Sequence, residues 1–166
     1  MNRYLTGASV AALCALTAQA AVAQDLMFPK GEGGFSWDSL QSFADSHDYS
    51  GETLMVTGAT TGDDAERYRN LYAYFSDATG ATVEYSGSES FEQDIVIASQ
   101  AGGLPDVALF PQPGLAKDLA AKGALVAVDS AMENAMVDNY AAGDSWKQLA
   151  TFPGSDGADH VFGLFF

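Results

Sequence analysis

From residue 52 onward, apolar positions switch repeatedly between short continuous runs and a helical spacing. Glu52 to Gly58 is a compact run closed by a glycine and reads as a buried strand. Ala65, Tyr68, Leu71, Tyr72 and Phe75 then share one helical face, with Asp63 and Glu66 as a capping-box start and Gly80 as the residue that stops the helix. Ala81 to Tyr85 is the next expected strand. A second helix runs from about Ser90, with Phe91, Ile95 and Ala98 on one face, until Gly102-Gly103. Asp106 to Phe110 is a third strand. Pro111-Gln112-Pro113-Gly114 turns the chain, and Leu115 to Lys122 makes a short helix ended by Gly123.

The later chain carries weaker signals. Leu125 to Val128 reads as a brief strand, and Ser130 with Glu133 as the cap of a further helix. Gly143 to Asp159 is loop-rich, and Val161 to Phe166 begins an apolar strand. Before residue 52, Pro29 to Gly34 is a flexible lead. Trp37, Leu40 and Phe43 at threes predict a short helix with Ser36 as its N-cap, its aromatic stripe a core face rather than a stacking surface for a ligand. No internal repeat or low-complexity tract is present.

Strands alternating with helices of this length call for an α/β fold, a mostly parallel sheet with helices on both faces. Sheets of that kind bind ligands outside the carboxyl ends of their strands. Three loops are thereby singled out: Gly58 to Gly62, Ser86 to Ser90, and Pro111 to Gly114.

The first 23 residues have a different character. Met1-Asn2-Arg3 gives a short positive start, Leu5 to Leu16 is an apolar core too short to span a bilayer, and Ala18-Gln19-Ala20 and Ala21-Val22-Ala23 offer small residues two apart. These are the three regions of a secretory signal, with cleavage expected after Ala23. Cys14, the only cysteine, lies inside this segment, so the exported chain has no disulfide and no thiol chemistry. The expected organisation is a signal at 1–23, an extension with a short helix at 24–50, and one domain from 51 to 166.

Charge narrows the partners. All 22 acidic residues lie beyond the signal with only six basic ones, Lys30, Arg67, Arg69, Lys117, Lys122 and Lys147. So anionic a surface repels nucleic-acid phosphates and anionic lipid. It favours a neutral or cationic ligand: a sugar fits, and so does a polyamine.

Catalytic signatures are missing. The Gly58-to-Gly62 loop lacks the lysine of a phosphate loop and the glycine spacing of a dinucleotide loop, and Asp63 and Asp64 beside it repel phosphate. No serine sits in a G-x-S-x-G elbow. His47 and His160 are the only histidines and read as surface residues. No zinc or calcium motif occurs, Asp156 to Asp159 reading as a turn, so no metal or cofactor is expected. Abundant acids leave a glycoside hydrolase as the alternative from another class, but nothing selects a pair. What remains suits binding without reaction. Thr60, Thr61, Asp64, Ser88, Glu89 and Gln112 can exchange hydrogen bonds with sugar hydroxyls, and Tyr85, Phe110 or Phe166 can cover the apolar face of a pyranose. Asp63, Ser88 and Ser90 compete with this reading as helix caps.

Two stretches carry a family likeness. Tyr85 to Ile95, and Ala101-Gly102-Gly103-Leu104-Pro105-Asp106-Val107-Ala108-Leu109-Phe110-Pro111-Gln112-Pro113-Gly114, resemble the family 1 extracellular solute-binding proteins, most closely the alpha-glucoside binders of carbohydrate ABC importers. Ala78 to Tyr85 agrees more weakly, and the likeness runs from about Phe35 onward. The resemblance implies a periplasmic, monomeric protein of type II two-lobed architecture that closes on a sugar and docks with membrane permease subunits, with no chemical step. The chain matches the first lobe only. Its apolar end at Phe165-Phe166 reads as a cut before the second lobe. The substrate-binding set expected on this view is Thr60, Thr61, Asp64, Glu89, Gln112 and Phe166.

Overall fold

A computed structural model describes residues 26–164. The expected signal with Cys14, and the terminal Phe165 and Phe166, lie outside the described residues. The elements in chain order are α1 (Trp37–Ser46), β1 (Thr53–Gly58), α2 (Gly62–Thr79), β2 (Thr82–Gly87), α3 (Phe91–Ala101), β3 (Val107–Leu109), α4 (Pro113–Ala121), α5 (Ser130–Asn139), α6 (Gly143–Leu149), β4 (Thr151–Pro153) and β5 (Asp159–Val161).

β1 is the centre of a three-stranded sheet of order β2-β1-β3. Both pairings are parallel, Thr53 to Gly58 lying beside Thr82 to Gly87, and Val56 to Gly58 beside Val107 to Leu109. The Asp106 carboxylate extends the β1–β3 ladder by one rung, accepting from the Met55 amide at 2.8 Å.

Side-chain alternation sorts the strands into two faces. Leu54 and Val56, Val83 and Tyr85, and Leu109 face α2, where Val56, Tyr85 and Ala65 are buried with Tyr68 and Tyr72 packed against them. Ala108 points the opposite way, into a second cluster built on Phe91 and Ile95 of α3 and Leu119 of α4. Helices therefore lie on both faces of the sheet, as the α/β reading requires. Cover of the second face is uneven: Met55 is 42 % exposed, and Glu84 and Ser86 are exposed as well.

Beyond α4 a third cluster joins Ala116 and Ala120 to Phe152 of β4, and a fourth joins Met136 of α5 to Ala150 and Val161. Lys147 pairs with Glu133 at 2.7 Å across α5 and α6. The leading segment packs on α2. Phe35, Trp37 and Tyr74 bring their rings within 5.4–5.7 Å of one another, and the Tyr74 hydroxyl donates to the Phe28 carbonyl at 2.9 Å.

Several expectations need correction. The expected core stripe of α1 is only partly covered, Trp37 and Leu40 being half-buried and Phe43 exposed, with α2 and the flanking loops packed against it. Leu125 to Val128 is not a strand: among the described residues only its Val128 amide reaches a partner strand, donating to the Val161 carbonyl at 2.8 Å. The loop-rich stretch from Gly143 holds α6 and then a hairpin, β4 pairing antiparallel with β5. The last strand accordingly starts at Asp159 and ends at Val161, earlier than expected.

Cap positions shift too. α5 is capped by Asp129, which accepts from the Met132 amide, not by Ser130. α2 begins at Gly62 with Thr61 before it and no side-chain cap, so the Asp63–Glu66 box does not form; Glu66 instead pairs with Arg69 one turn on. Ser36 precedes α1 but makes no cap bond; its hydroxyl lies 2.7 Å from that of Ser39. Gly80 does end α2 as expected, at φ 77°, a left-handed conformation that side chains disfavour.

Leu119 is fully enclosed between α3, α4 and the sheet. Leu119→Ala is expected to lower stability by about 2–5 kcal/mol, the range for a leucine-sized cavity in a packed core, read as the shift of the urea unfolding midpoint.

Candidate functional site

The register sets the site. Gly58 stands beside both Gly87 and Leu109, so the three strands end level at one edge of the sheet. The loops leading to α2, α3 and α4 leave from that edge together. All three turns singled out in the sequence are on the same end of the fold.

Close contacts fix these loops to one another. The Ser88 amide donates to the Gly58 carbonyl at 3.0 Å, and the Tyr85 hydroxyl donates to the Thr60 carbonyl at 3.0 Å. Gly87 lies directly against the Thr60 carbonyl, and a Cβ there would run into that oxygen. Thr57 Oγ1 adds a bond to the Ser86 carbonyl at 2.9 Å. On the other flank, Gln112 Nε2 donates to Glu92 Oε1 at 3.1 Å, joining the starts of α4 and α3.

The expected site residues take distinct positions in this frame. Thr60 is half-buried, its carbonyl occupied and its hydroxyl without a partner among the described residues. Thr61 is exposed at the start of α2, where its side chain makes no cap bond. Asp64 is exposed and pairs with Arg67 at 3.3 Å. Glu89 is exposed and has no partner among the described residues. Gln112 precedes α4, and its Oε1 accepts from the Gly114 amide at 2.7 Å. Phe166 lies outside the described residues.

None of the three competing cap residues makes a helix cap bond, although Ser88 orders the turn ahead of α3. Ser88 Oγ accepts from the Ser90 amide at 3.1 Å and donates to Asp94 at 2.6 Å, fixing the entry to α3. Neither Ser90 nor Asp63 makes a side-chain cap bond.

The expectation for Tyr85 is corrected. Tyr85 is buried beneath α2, its ring stacked on Tyr68 at 5.2 Å, so its face is spent in the core. Phe110 is half-buried and packs edge-on against Phe91 at 5.5 Å. The aromatic recess of about 210 Å³ lined by Phe35, Trp37, Leu40, Leu71, Tyr74 and Phe75 is elsewhere. Leu71 is ten residues into α2 from Thr61, about 15 Å along the helix. The recess is also below the ~300 Å³ at which ligand pockets usually start.

Electrostatically the edge is acidic. Asp63, Asp64, Glu89, Glu92 and Asp94 gather at the helix starts, and the nearby cations are engaged, Arg67 by Asp64 and Arg69 by Glu66 at 2.5 Å. Among the described residues no cluster of three or more metal-type ligands exists, and no helix is long and apolar enough to cross a membrane. His160 pairs with Asp156 at 2.9 Å, but in the turn of the β4–β5 hairpin, where the Ala158 amide also donates to Asp156. The His160 hydrogen bond, helped by that amide, holds the Asp156 carboxyl below its ordinary pKa. This pair shapes a turn.

Sequence reasoning missed Glu92, which reads there as one more acid on a helix. Its signal is spatial: the β3–α4 turn comes back alongside the first turn of α3.

Comparison with known proteins places the chain. Residues 59–154 match the family described as bacterial extracellular solute-binding protein. The alpha-glucosides-binding periplasmic protein AglE of Rhizobium meliloti (strain 1021) is 48% identical over 141 residues, 84% of this chain and 31% of the relative. The osmoprotective compounds-binding protein GgtB of Synechocystis sp. (strain ATCC 27184 / PCC 6803 / Kazusa) is 32% identical over 114 residues, 68% of this chain and 25% of the relative. The chain thus spans less than a third of the length of either.

Two outcomes follow from this geometry. Gly87→Ala is expected to cost roughly 1–3 kcal/mol by forcing the Thr60 carbonyl aside, with amide shifts at Thr60 and Thr61 in a nitrogen-15 correlation spectrum. Asp156, whose pKa is lowered on folding, contributes stability that is present above its unfolded pKa and is lost as pH falls through the folded value. Asp156→Asn is expected to flatten that acid limb in denaturation curves taken from pH 6 down to about pH 2.

Proposed function

The chain belongs to the bacterial extracellular solute-binding protein family, and we propose that it captures a saccharide, an alpha-glucoside or a close analogue, for an ABC importer. The observation that carries this reading is the convergence of three loops at one sheet edge, bearing threonine hydroxyls, carboxylates and an amide. Such groups match the hydroxyls of a neutral polar ligand. The carboxylates among them repel phosphate. The names of AglE and GgtB, an alpha-glucosides binder and an osmoprotective-compounds binder, support the same class.

On this reading residues 1–23 are a cleaved export signal, 24–50 an extension and 51–166 part of the first lobe of a two-lobed molecule. The protein works in the periplasm as a monomer. It performs no chemical step, contacts no nucleic acid and hands its ligand to the permease subunits. Thr60, Thr61, Asp64, Glu89 and Gln112 supply one wall of the sugar site, and Phe166 a stacking ring. Closure of the second lobe would supply the opposite wall and exclude water.

Calorimetric titration with methyl α-glucoside, maltose, trehalose and spermidine tests the proposal. A saccharide is expected to bind and spermidine to stay silent, and Thr61→Ala should weaken the saccharide by about 1 kcal/mol, roughly fivefold, the worth of one hydrogen bond. Binding of spermidine alone, or turnover of a chromogenic glucoside, would overturn it.

A further inference from the structure

The polar groups at the strand ends are not equivalent, and Gln112 stands apart. Residues that cap helices well are short: serine, threonine, aspartate, asparagine. Gln112 does the cap's work with Oε1 alone, on the Gly114 amide at 2.7 Å. Because that partner is a donor, the oxygen must face it, which fixes Nε2 on the other side, toward Glu92 Oε1 at 3.1 Å. The longer side chain thus delivers an N–H₂ group across the gap to α3, which no ordinary cap residue can do.

The mounting is stiff. Gln112 lies between Pro111 and Pro113, and its backbone is extended at φ −156°, ψ 151°. A following proline favours that extended conformation, and Pro113 occupies the first turn of α4, where proline's fixed φ suits a helix. The side chain is tied at both ends as well. Holding a binding group in place before the ligand arrives removes part of the ordering cost of binding.

Two hydrogen-bonding positions are left over. Gln112 Nε2 has a second hydrogen, and Glu92 Oε2 has no partner among the described residues. Both residues are exposed at the sheet edge. A donor and an acceptor therefore stand side by side, on two groups already joined by a bond of 3.1 Å. Neighbouring hydroxyls on a sugar ring also stand side by side, and each can both give and take a proton.

We infer that Glu92 and Gln112 together read a pair of vicinal hydroxyls on the saccharide, one hydroxyl donating to Glu92 Oε2 while its neighbour accepts from the free Gln112 N–H. The inference rests on the saccharide reading above and assigns Glu92 as a specificity-determining residue within it.

The test uses calorimetry on the full chain with methyl α-glucoside and its 2-, 3-, 4- and 6-deoxy analogues. Two variants are compared with the parent protein. Glu92→Gln leaves the α4 cap untouched, and Gln112→Glu keeps an oxygen for the Gly114 amide while removing the donor. Each is expected to weaken the intact sugar about tenfold, as for a hydrogen bond to a charged group. Two deoxy analogues at adjacent positions should bind the parent weakly and lose little further in the variants. Variants that hold the intact sugar as well as the parent does, or that lose the same factor for every analogue, overturn the pair while leaving saccharide capture standing. A parent protein that binds none of these sugars overturns both.

Discussion

Parallel pairing of β1 on both its edges is the constraint on which the rest depends. A strand with two parallel neighbours must place their carboxyl ends on the same side as its own, and here Gly58, Gly87 and Leu109 end level. Each following helix then begins at that edge with its first amides unsatisfied by the helix itself. The chain meets those amides differently at each start. Gln112 satisfies one at α4, Ser88 bonds only the Ser90 amide just ahead of α3, and Thr61 makes no cap bond at α2. The polar groups available to a ligand are what remains after the helices have taken their caps.

Backbone proximity makes the edge a single surface. Gly87 lets the β2–α3 loop lie against the Thr60 carbonyl, and the Tyr85 hydroxyl rises from the core to hold that carbonyl from below. Tyr85 belongs to the tyrosine stack under α2, with Tyr68 and Tyr72, where burial and the neighbouring tyrosines push the Tyr72 phenol above its ordinary pKa. Core packing and loop position are thus mechanically linked through one residue. A ring that seemed suited to stack on a ligand acts as the pillar beneath the loop instead.

The first five helices and the three parallel strands were legible because their signals are local: apolar spacing, a glycine stop at Gly80, a proline turn at 111–114; α6, in a stretch that reads as loop, was not. What stayed hidden depends on partners distant in sequence. Thr151 to Pro153 is too short and mixed to announce a strand, and becomes one only by pairing with Asp159 to Val161. Leu125 to Val128 has the composition of a strand but only one ladder bond to a neighbour. Asp129, one residue before the expected cap, wins that role by reaching the Met132 amide. Glu92 could be recognised only once the order β2-β1-β3 was known, since that order sets which helix starts are neighbours. The level ends of the strands made the loop residues predictable as a group, while their individual hydrogen bonds were not.

The acidic surface and a neutral ligand are compatible for a physical reason. A carboxylate is a strong acceptor for a hydroxyl proton, and that bond needs no opposite charge on the ligand. Arg67 and Arg69 spend themselves on Asp64 and Glu66 one turn away, so they neutralise α2 locally without turning the edge into an anion site. These pairs are exposed and therefore worth little in stability. What they change is the field: the acids left without cations, Glu89 and Glu92 among them, repel phosphates at long range and, on the saccharide proposal, accept hydroxyls at short range. Long-range repulsion is screened by salt within about 10 Å at ordinary ionic strength, whereas a direct hydrogen bond is much less so. On the saccharide proposal, exclusion of the wrong ligand and retention of the right one therefore rest on separate interactions, and only the first depends on how anionic the whole chain is.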